Sequence, residues 1–440
     1  MMTEVSREKQ GMRVAICGAG ISGLAVAAFI QRANTSGISV DIYEAKEQLS
    51  SDGSGIAIWK RTWEILRILG IEEDCLSRGI PTPRDGHSTG PVFRRSDIAD
   101  QARDFHSQVV PYGPTFISRP QILEILQGKL DPDKCKLHFN KKITMYELQP
   151  TAEPGVDMVD IVFDDGTKTT SHVLIGCDGV HSKVRATLFK DDPMSSKAAL
   201  SGQIVYRCHS NAAAAFPGDP NHWALTRTTG WCGDGRHVIT NPHMNPLTQE
   251  LQINVVGFIR VSESEQAELT EWATHVDPKE LQGHFHSDQW ENDLIKVLEH
   301  CSSPTRWAVK VVQPLDCFIQ GPVALVGDAA HAMTPHQGVG AGQGVEDAYI
   351  LASVLTHEKT TTATIPNMLQ LYNRARLHPA KKVAAKSDRL GELYDLVPMA
   401  HDGMDLKHIA SLINEEFAWL GEDNVATDIE RLQTQLAKLN

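Results

Sequence analysis

Residues 14–30 read VAICGAGISGLAVAAFI, and this stretch decides the fold of the first part of the chain. The apolar residues before the first glycine indicate a buried β-strand, and those after the last glycine indicate a helix. Between them stands the pattern G-x-G-x-x-G, formed by Gly18, Gly20 and Gly23. The first glycine permits a tight turn, the second lets the backbone approach a pyrophosphate, and the third lets helix and strand pack closely. The stretch therefore predicts a dinucleotide-binding turn, for either NAD or FAD.

A second strand follows this helix and ends at an acid. Residues 39–43 indicate the strand, and Glu44 comes directly after it. A strand, a helix and a strand in this order form a βαβ unit, whose two strands are parallel. An acid at this place binds the ribose hydroxyls of a dinucleotide, while the N-terminus of the helix presents free N–H groups to the phosphates.

Two later stretches also place an acid at the end of an apolar strand. GCDGVHSKVR, residues 176–185, carries Asp178, and ALVGDAAHAMTPHQGVGAGQGVEDA, residues 324–348, carries Asp328. Each stretch alone indicates no more than a turn before a helix. The carboxyl ends of parallel strands meet at one edge of a sheet, where the ligands of open α/β folds bind. Three such sites, far apart in sequence, therefore predict one long ligand along that edge.

The rest of the chain indicates a second sheet and a helical end. Residues 80–115 are rich in proline, glycine and charge, which indicates loops or an excursion from the first domain. Short alternating runs over 200–260, HWALTRT among them, indicate a mixed or antiparallel sheet with one covered face. Residues 261–300 indicate helices, and residues 345–440 indicate a mostly helical region that is broken at Pro379.

The composition limits the class of protein. Of the 440 residues, 41% are hydrophobic and 22% are charged, which is ordinary for a globular protein. The net charge of −13 argues against a nucleic-acid binder. The eight cysteines contain no C-x-x-C pair, so we expect free thiols in a cytoplasmic protein and neither a metal site nor a redox dithiol. The apolar run 12–30 contains three glycines and indicates a strand and a helix, so no membrane anchor is expected.

In this order the three motifs resemble those of the group A FAD-dependent aromatic monooxygenases, the family typified by para-hydroxybenzoate hydroxylase and salicylate hydroxylase. The resemblance covers residues 13–355. It rests most on the DGxxSxVR form at residues 178–185 and on the GDAAHxxxP form at residues 327–335. One departure is Gln343, which stands where many members have asparagine, although salicylate-hydroxylase-like sequences often read GAGQ.

The resemblance implies an α/β fold: a Rossmann-like FAD-binding domain with an inserted mixed β-sheet substrate domain and a C-terminal helical region. It implies that residues 12–80, 116–190 and 301–355 form the FAD-binding domain, that 81–115 reach toward the substrate domain, that 191–300 form that domain, and that 356–440 form the helical region. FAD, bound non-covalently, is the implied cofactor. The residues implied at the cofactor are Gly18, Gly20, Ile21, Ser22, Gly23, Glu44, Arg119, Asp178, Arg185, Gly327, Asp328, Pro335, Gly338, Gly340, Ala341 and Gly342.

The resemblance also implies the reaction. The family reduces FAD with NADH or NADPH, forms a flavin C4a-hydroperoxide with O₂, and transfers one oxygen atom to an electron-rich aromatic ring. Such a site excludes water, because the peroxide otherwise decomposes unused. The chain has no second G-x-G-x-x-G unit, so NAD(P)H is expected to bind transiently at the surface.

The substrate of this family is usually made more nucleophilic by ionising a phenol. Holding a phenol with a pKa of about 10 as a phenolate near pH 7 requires about 4 kcal/mol, whereas one charge-assisted hydrogen bond supplies about 1.5–3 kcal/mol. Arg207, in IVYRC, resembles the substrate-facing arginine of some relatives, and an ion pair on the sheet surface is its alternative role. Strand alternation places Tyr206 and Arg207 on opposite faces. The candidates for catalysis are Arg207, Tyr206, His336 and Pro335, and the candidates for a helper are Tyr206, His209, His222 and Trp223.

Two other functions stay open at this point. An FAD-dependent oxidase or epoxidase of a secondary-metabolite pathway uses the same fold. A non-catalytic FAD-fold binding protein shares the first βαβ unit but has little reason to keep both Asp178 and Asp328. The aromatic substrate, the position hydroxylated and an accompanying decarboxylation are also left open, and a monomer or a homodimer is expected.

Overall fold

The structure is a computed structural model, and it describes residues 11–33, 37–50, 55–82, 87–111, 114–152, 156–245, 248–268, 273–286, 288–422 and 425–437. The strands are β1 (Met12–Cys17), β2 (Ile38–Tyr43), β3 (Gly55–Ile58), β4 (His87–Arg95), β5 (Arg103–Pro111), β6 (Thr115–Ser118), β7 (Cys135–His138), β8 (Ile143–Pro150), β9 (Asp157–Phe163), β10 (Lys168–Ser171), β11 (Val173–Gly176), β12 (Ala199–Asn211), β13 (Thr229–Gly233), β14 (Arg236–Met244), β15 (Leu251–Arg260), β16 (Ala273–His275), β17 (Cys301–Val311), β18 (Ile319–Gln320) and β19 (Val323–Leu325). The helices are α1 (Ile21–Arg32), α2 (Lys60–Ile68), α3 (Ile71–Ser77), α4 (Arg119–Gly128), α5 (Lys183–Leu188), α6 (Pro193–Ser196), α7 (Ala212–Ala215), α8 (Glu263–Ala267), α9 (Pro278–Gln282), α10 (Asn292–Glu299), α11 (Asp328–His331), α12 (Gly340–Leu355), α13 (Ile365–Tyr394), α14 (Val397–Asp402), α15 (Leu406–Glu422) and α16 (Val425–Ala437).

The strand that precedes the glycine turn lies inside a six-stranded sheet of order β18-β19-β11-β1-β2-β7. All neighbours in it are parallel except β18 and β19. Cys17 pairs with Tyr43 on one side and with Gly176 on the other, and Gly176 pairs with Leu325. The carboxyl ends of these four strands are therefore level. The prediction that the three motifs meet at one edge of a parallel sheet is confirmed.

A second, eight-stranded sheet has the order β16-β17-β12-β15-β14-β13-β4-β5. Its pairs are antiparallel except β13 with β4, so the predicted mixed sheet is confirmed. Tyr206, Trp231 and Val255 are buried in the core on one face, where α7, α9 and α10 pack. Phe93 and Cys232 are buried in a separate core with residues of α13 and α15. The sheet is thus covered on both faces.

Three predictions made from sequence are corrected. Of the two interpretations of residues 80–115, the loops are wrong, because these residues include the strands β4 and β5 of the eight-stranded sheet. Pro91 is tolerated because it lies where the pairing shifts between Thr89 and Val92. Between residues 261 and 300, the described residues form the short helices α8, α9 and α10 and also the strand β16. The stretch HWALTRT forms a 3₁₀ turn over Trp223–Leu225 rather than a strand.

Helix α13 passes through Pro379 without ending, so the predicted break there is wrong. Proline removes one backbone hydrogen bond, but α13 is held on both sides of it, because Tyr372, Arg376 and Leu390 are buried. The uninterrupted helix brings Tyr394 and Asp395 to the eight-stranded sheet. Within the described ranges, no helix combines the length and the apolar character that crossing a membrane requires.

Candidate functional site

Three glycines shape the turn after β1. Gly18 has a φ of +103°, and a Cβ there would stand 2.3 Å from the carbonyl oxygen of Cys177. A Cβ at Gly23 would stand 2.0 Å from the carbonyl oxygen of Gly18. At Gly20, in contrast, a Cβ would meet no atom within 4 Å. Packing therefore requires Gly18 and Gly23, whereas the space beside Gly20 is open to a ligand.

Two helices begin at this edge without a side-chain cap. The N-cap residues of α1 and α12 are Gly20 and Val339, and neither helix has an acid in its first turn. Helices α4 and α5 are capped by Ser118 and Ser182. The first N–H groups of α1 and α12 are therefore left for a ligand, and the positive end of each helix dipole favours negative charge there. Such an end suits a pyrophosphate or the electron-rich end of a ring.

Glu44, directly after β2, holds the glycine turn in place. Its Oε2 accepts a hydrogen bond from the N–H of Ala19 at 2.8 Å, and its Oε1 accepts one from the N–H of Lys46 at 3.0 Å. Each carboxylate oxygen keeps a further lone pair. The contact of Glu44 with ribose hydroxyls stays a prediction, and the structure adds a role in shaping the turn that was not foreseen.

The second motif, after β11, is engaged in the fold itself. Asp178 Oδ1 accepts a hydrogen bond from the hydroxyl of Ser182 at 2.5 Å, and its Oδ2 accepts one from the N–H of Lys183 at 2.6 Å. Burial raises the pKa of Asp178, and these hydrogen bonds oppose that rise. Arg185 is buried and donates from Nη1 to the carbonyl oxygen of Ala329 at 3.0 Å. Asp178 therefore caps α5 and Arg185 joins the second motif to the third, while direct contact of either with FAD stays a prediction.

Four predicted cofactor residues are exposed near the third motif and at the start of α4: Arg119, Asp328, Pro335 and Gly338. Among the described residues, neither the carboxylate of Asp328 nor the guanidinium of Arg119 has a hydrogen-bond or ion-pair partner. Gly338 has a φ of +66°, which a residue with a side chain would rarely adopt. These four residues are therefore available to a ligand.

Helix α12 packs so closely against α1 and α2 that glycines are required. A Cβ at Gly344 would stand 2.2 Å from Oγ of Ser22, and a Cβ at Gly342 would stand 2.3 Å from Oγ1 of Thr62. A Cβ at Gly340 would meet nothing within 4 Å. Of these glycines, only Gly340 borders open space. Gly342 and Gly344 therefore serve helix packing, and contact of Gly340 and Gly342 with the cofactor stays a prediction.

The remaining predicted cofactor residues are Gly327, Ile21 and Ala341. Gly327 has a φ of +63°, and a Cβ there would stand 2.5 Å from Oγ of Ser22. Ile21 is buried, and Ala341 is half-buried. Gly327 thus brings the third motif against the first helix.

These features fit FAD. The open side of Gly20 and the uncapped start of α1 suit the pyrophosphate, and the free carboxylate of Asp328 suits hydroxyl groups. The uncapped start of α12 lies beyond Pro335 and Gly338, and it suits the part of a flavin that becomes negative on reduction.

A cluster of polar side chains lies between the eight-stranded sheet and α13, and we call it the histidine cluster: Gln203, His237, Arg260, His336 and Asp395. Asp395 is fully buried, and its Oδ1 accepts a hydrogen bond from Nδ1 of His237 at 2.6 Å. Its Oδ2 accepts one from Nε of Arg260 at 2.6 Å. Since Nδ1 of His237 donates, Nε2 carries the lone pair, and Nε2 is buried with no partner among the described residues.

His336 offers a second free lone pair. Its Nε2 donates to Oε1 of Gln203 at 2.9 Å, so the lone pair is on Nδ1, which is buried and has no partner in the described part of the chain. Burial, together with the neighbouring His237 and Arg260, lowers the pKa of His336 well below its usual value. His336 therefore stays neutral near pH 7. It can lie this close to α13 because Gly391 has no side chain, since a Cβ there would stand 2.4 Å from Nε2 of His336.

Aromatic rings surround the two imidazoles. Phe258 stacks on His237 with ring centroids 4.4 Å apart, and it lies 4.9 Å from the ring of His336. Tyr394 stacks on Phe93 at 4.6 Å and meets His237 edge-on at 5.3 Å. An apolar wall beside two buried imidazoles suits a phenolic ring.

Tyr206 lies away from the histidine cluster, and a role for it at the substrate stays a prediction. Its hydroxyl is hydrogen-bonded to Glu280 at 2.8 Å and to His284 at 3.1 Å, on the face covered by α9. Arg207 is half-buried on the opposite face, as strand alternation predicts, and its cross-strand neighbours are Val256 and Thr305. A role of Arg207 at the substrate stays a prediction, whereas Arg260 is the arginine that acts on the pKa of His336.

The other proposed helpers lie elsewhere. His222 stacks on Phe216 with centroids 3.8 Å apart, and Trp223 donates to Asp293 at 3.2 Å, both away from His336. His209 is exposed and packs against the ring of His243. None of the three contacts the histidine cluster through a described hydrogen bond or ring contact.

Sequence reasoning missed His237, Arg260, Gln203 and Asp395. The alternation in β14 and β15 could have placed His237 and Arg260 on one face of the sheet. No local signal marked Asp395, because the sequence predicted that the helix before it would break at Pro379. Its contact with His237 links residues far apart in the chain.

Comparisons with known proteins agree with this geometry. The family model for the FAD binding domain matches residues 11–387. The chain is 28% identical to salicylate hydroxylase of Pseudomonas putida over 99% of this chain and 97% of the relative. It is 29% identical to 6-methylsalicylate 1-monooxygenase of Aspergillus terreus over 92% of this chain and 88% of the relative.

The solved structure of a salicylate hydroxylase substrate complex is similar to this one over 96% of this chain and 98% of that chain. The TM-score is 0.80 and the identity is 27%. Together with the uncapped helix starts and the open glycine turn, these matches identify both the cofactor and the class of reaction. Because the family model covers most of its length, the chain belongs to the FAD-binding-domain family, and it is a group A FAD-dependent aromatic monooxygenase.

Proposed function

We propose that the chain hydroxylates an ortho-hydroxybenzoate, an aromatic acid of the salicylate type, at the carbon that bears the carboxyl group. Two relatives that match most of the chain are named for such acids. The observation that carries the proposal is the histidine cluster, in which two buried imidazole lone pairs lie beside a guanidinium. The lone pairs suit a phenolic O–H, and the guanidinium suits a carboxylate.

The overall reaction balances as follows. One oxygen atom of O₂ enters the ring and the other leaves as water, a hydride from NADH or NADPH and two protons supply the reducing equivalents, and the carboxyl group leaves as carbon dioxide. Bound FAD supplies the redox chemistry with NAD(P)H and O₂. The residues of this chain bind the ring, exclude water from it and move the phenolic proton.

His237 takes the phenolic proton at Nε2 in this proposal. The Asp395 carboxylate, 2.6 Å from Nδ1, holds the required tautomer and stabilises the imidazolium that forms. His336 accepts a hydrogen bond at Nδ1 and orients the phenol, because its lowered pKa makes it a poor proton acceptor. Asp395 is thus a positioning residue, and His237 and His336 are the residues that touch substrate.

Arg260 binds the carboxylate of the acid. Its Nε is occupied by Asp395, but its Nη2 is buried without a partner among the described residues. A buried N–H donor without a partner costs free energy that a bound carboxylate would recover. Arg260 is therefore the arginine proposed for the carboxylate, while a role of Arg207 at the phenolate stays a prediction.

The division into domains is proposed as the sequence implies it. The FAD-binding domain comprises residues 12–80, 116–190 and 301–355, and the substrate domain comprises 191–300 together with the excursion 81–115. This division is supported by strands β4 and β5, which join the eight-stranded sheet. The helical region 356–440 then closes the substrate side through α13 and α15.

The cellular setting is part of the proposal. All eight cysteines are free and seven of them are buried, which is usual for proteins of a reducing compartment. A cytoplasmic monomer or homodimer is therefore proposed, and gel filtration of the purified protein would test its assembly.

The central experiment compares salicylate, 3-hydroxybenzoate and 4-hydroxybenzoate with the purified, FAD-loaded protein. Substrate-stimulated oxidation of NADH and of NADPH is recorded together with the product mass and the carbon dioxide released from carboxyl-labelled acid. We expect salicylate to be preferred and to give catechol and one carbon dioxide. Preference for 4-hydroxybenzoate, or a product that keeps the carboxyl group, would exclude the proposed substrate class or the decarboxylation, respectively.

A matched pair of variants tests the arginine. Arg260→Gln should raise the KM for salicylate about 10- to 150-fold, the equivalent of 1.5–3 kcal/mol for a hydrogen bond to a charged group. Arg207→Gln should leave the KM for salicylate within about twofold, because in this proposal Arg260 and not Arg207 binds the carboxylate. The reverse result would assign the carboxylate to Arg207 instead of Arg260.

A further inference from the structure

A chain of ion pairs runs from the last described helix to the cofactor loop, and we call it the buried ion chain: Asp428, Arg61, Glu346, Arg376 and Asp347. Arg61 pairs with Asp428 through Nη2 and with Glu346 through Nε at 3.0 Å. Arg376 pairs with Glu346 at 3.0 Å and with Asp347 at 2.6 Å. The residues come from α16, α2, α12 and α13, so the buried ion chain joins four helices.

The inner members are enclosed by the protein. The side chain of Asp347 is 0% exposed and that of Arg376 is 3% exposed. Burial alone would raise the pKa of Asp347, but His331 and Arg376 hold it well below its usual range. Buried ion pairs add little to stability compared with apolar side chains of similar volume, because both charges lose their hydration. A role in fixing a geometry accounts for such a chain better than a role in stability.

The geometry that it fixes is the loop before Asp328. Oδ2 of Asp347 accepts hydrogen bonds from the N–H of Gly327 at 2.8 Å and from Nε2 of His331 at 2.6 Å. Gly327 stands at a φ of +63° and a ψ of −139°, so its peptide is set by contacts and not by intrinsic preference. The next residue is the exposed acid Asp328, whose direction follows from that peptide.

Gln343 is hydrogen-bonded to two members of the buried ion chain. Its Oε1 accepts from Arg376 at 2.8 Å, and its Nε2 donates to Glu346 at 3.0 Å. The residue that departs from the asparagine of many relatives is therefore turned toward the ion chain. A shorter asparagine side chain at this position would reach less far toward Arg376.

The outer end is tied to the last helix. Asp428 is about one-third exposed, and Leu432 and Leu436 of the same helix are buried in the core that contains α1 and β1. Asp428 thus connects α16 to the buried ion chain through its ion pair with Arg61. No member of the buried ion chain touches the histidine cluster in a described contact.

We propose that the buried ion chain is a positioning device by which α16 sets the FAD-binding loop, with Arg376 and Asp347 as its positioning residues. Loss of Asp428 removes one carboxylate partner of Arg61, so Arg61 draws Glu346 away from Arg376. Arg376 then holds Asp347 less firmly, and the N–H of Gly327 and the carboxylate of Asp328 lose their fixed direction. The expected result is weaker FAD binding in a protein that stays folded.

The test uses the full chain with FAD removed and then titrated back. Asp428→Asn should weaken FAD binding at least about fivefold, the lower end of the usual range for coupled sites. The matched control is Glu430→Gln, an exposed acid on the same helix that lies outside the chain, and it should change the FAD Kd by less than about twofold. The unfolding midpoint of the FAD-free protein is measured for each variant.

A double-mutant cycle separates positioning from general stability. If Asp428 acts through Asp347, the variant carrying both Asp347→Asn and Asp428→Asn should bind FAD no more weakly than Asp347→Asn alone. Multiplicative effects, or an Asp428→Asn protein with a lowered midpoint and an unchanged FAD Kd, would overturn the proposal. Should Asp347→Asn fail to fold, Arg61→Lys replaces it in the cycle with the same expectation.

Discussion

Replacing Asp395 by asparagine tests the central step of the proposed chemistry. Asp395 accepts from His237 and from Arg260, each at 2.6 Å, and it is fully buried. Asparagine keeps the shape but offers one acceptor oxygen and one donor group. If its oxygen faces Arg260, its amide donates to Nδ1 of His237 and drives the ring proton to Nε2. If its oxygen faces His237, two donors confront each other at Arg260.

The expected magnitude follows from this mismatch. In the first arrangement Nε2 of His237 no longer has a lone pair for the phenolic proton, so general-base catalysis is lost. Such catalysis contributes about 10²–10⁴-fold, and we expect kcat for salicylate to fall at least about a hundredfold. Each charge-assisted bond contributes about 1.5–3 kcal/mol and a neutral one about 0.5–1.5 kcal/mol, so a loss of stability of a few kcal/mol is also expected.

The assay is product formation per NAD(P)H consumed, in single turnovers of the FAD-loaded protein. Asp402→Asn is the control, because Asp402 is an exposed carboxylate on the neighbouring helix α14 without a hydrogen bond to a described residue. FAD affinity should change less than about twofold in both variants, since Asp395 lies outside the cofactor motifs. A folded Asp395→Asn protein that hydroxylates salicylate at the parental rate would refute the assignment of His237 as base.

Three further outcomes are expected. Asp328→Asn should weaken FAD binding by about 1.5–3 kcal/mol, measured by flavin fluorescence during titration, and an unchanged Kd would remove Asp328 from the cofactor site. Gly391→Ala should push the ring of His336 away, because the new Cβ would stand 2.4 Å from Nε2. More hydrogen peroxide and less product should then form per NAD(P)H consumed, while the FAD affinity is kept. An unchanged ratio of product to NAD(P)H would contradict the placement of His336. The lowered pKa of His336 means that the unfolded chain binds a proton below about pH 6.5 that the folded chain does not. The free energy of unfolding, measured by urea titration at several pH values, should therefore fall as the pH is lowered, and it should fall less in His336→Gln. If the free energy of unfolding depends on pH equally in both proteins, the lowered pKa of His336 is wrong.

The sequence predicts the cofactor edge well because its signals are local. A turn that needs Gly18 and a strand that ends at Asp328 are each visible within a few residues. Parallel pairing then brings such strand ends together by a general rule of sheet topology. What each residue does there is less predictable. Asp178 caps its own helix, and Gly342 makes room for another helix, because the same short patterns serve packing as well as binding.

The substrate side is predicted poorly because its contacts are distant. His237 and Asp395 meet only when α13 continues through Pro379, and the general effect of proline argues for a break there. Tyr206 and Arg207 illustrate the reverse case. Alternation correctly separates their side chains to two faces, but only the packing of α9 decides which face is closed to substrate.

The hydroxyl of Ser22 lies between Gly327 and Gly344, so the first helix is enclosed by residues from near the other end of the chain. Contacts between such distant residues form late in folding, because the entropy of closing the long loop between them has to be overcome first. During synthesis the glycine turn leaves the ribosome long before the segments that complete it. We therefore expect a nascent chain to retain the flavin only after α12 has emerged and docked. Chains truncated before α12 should be colourless.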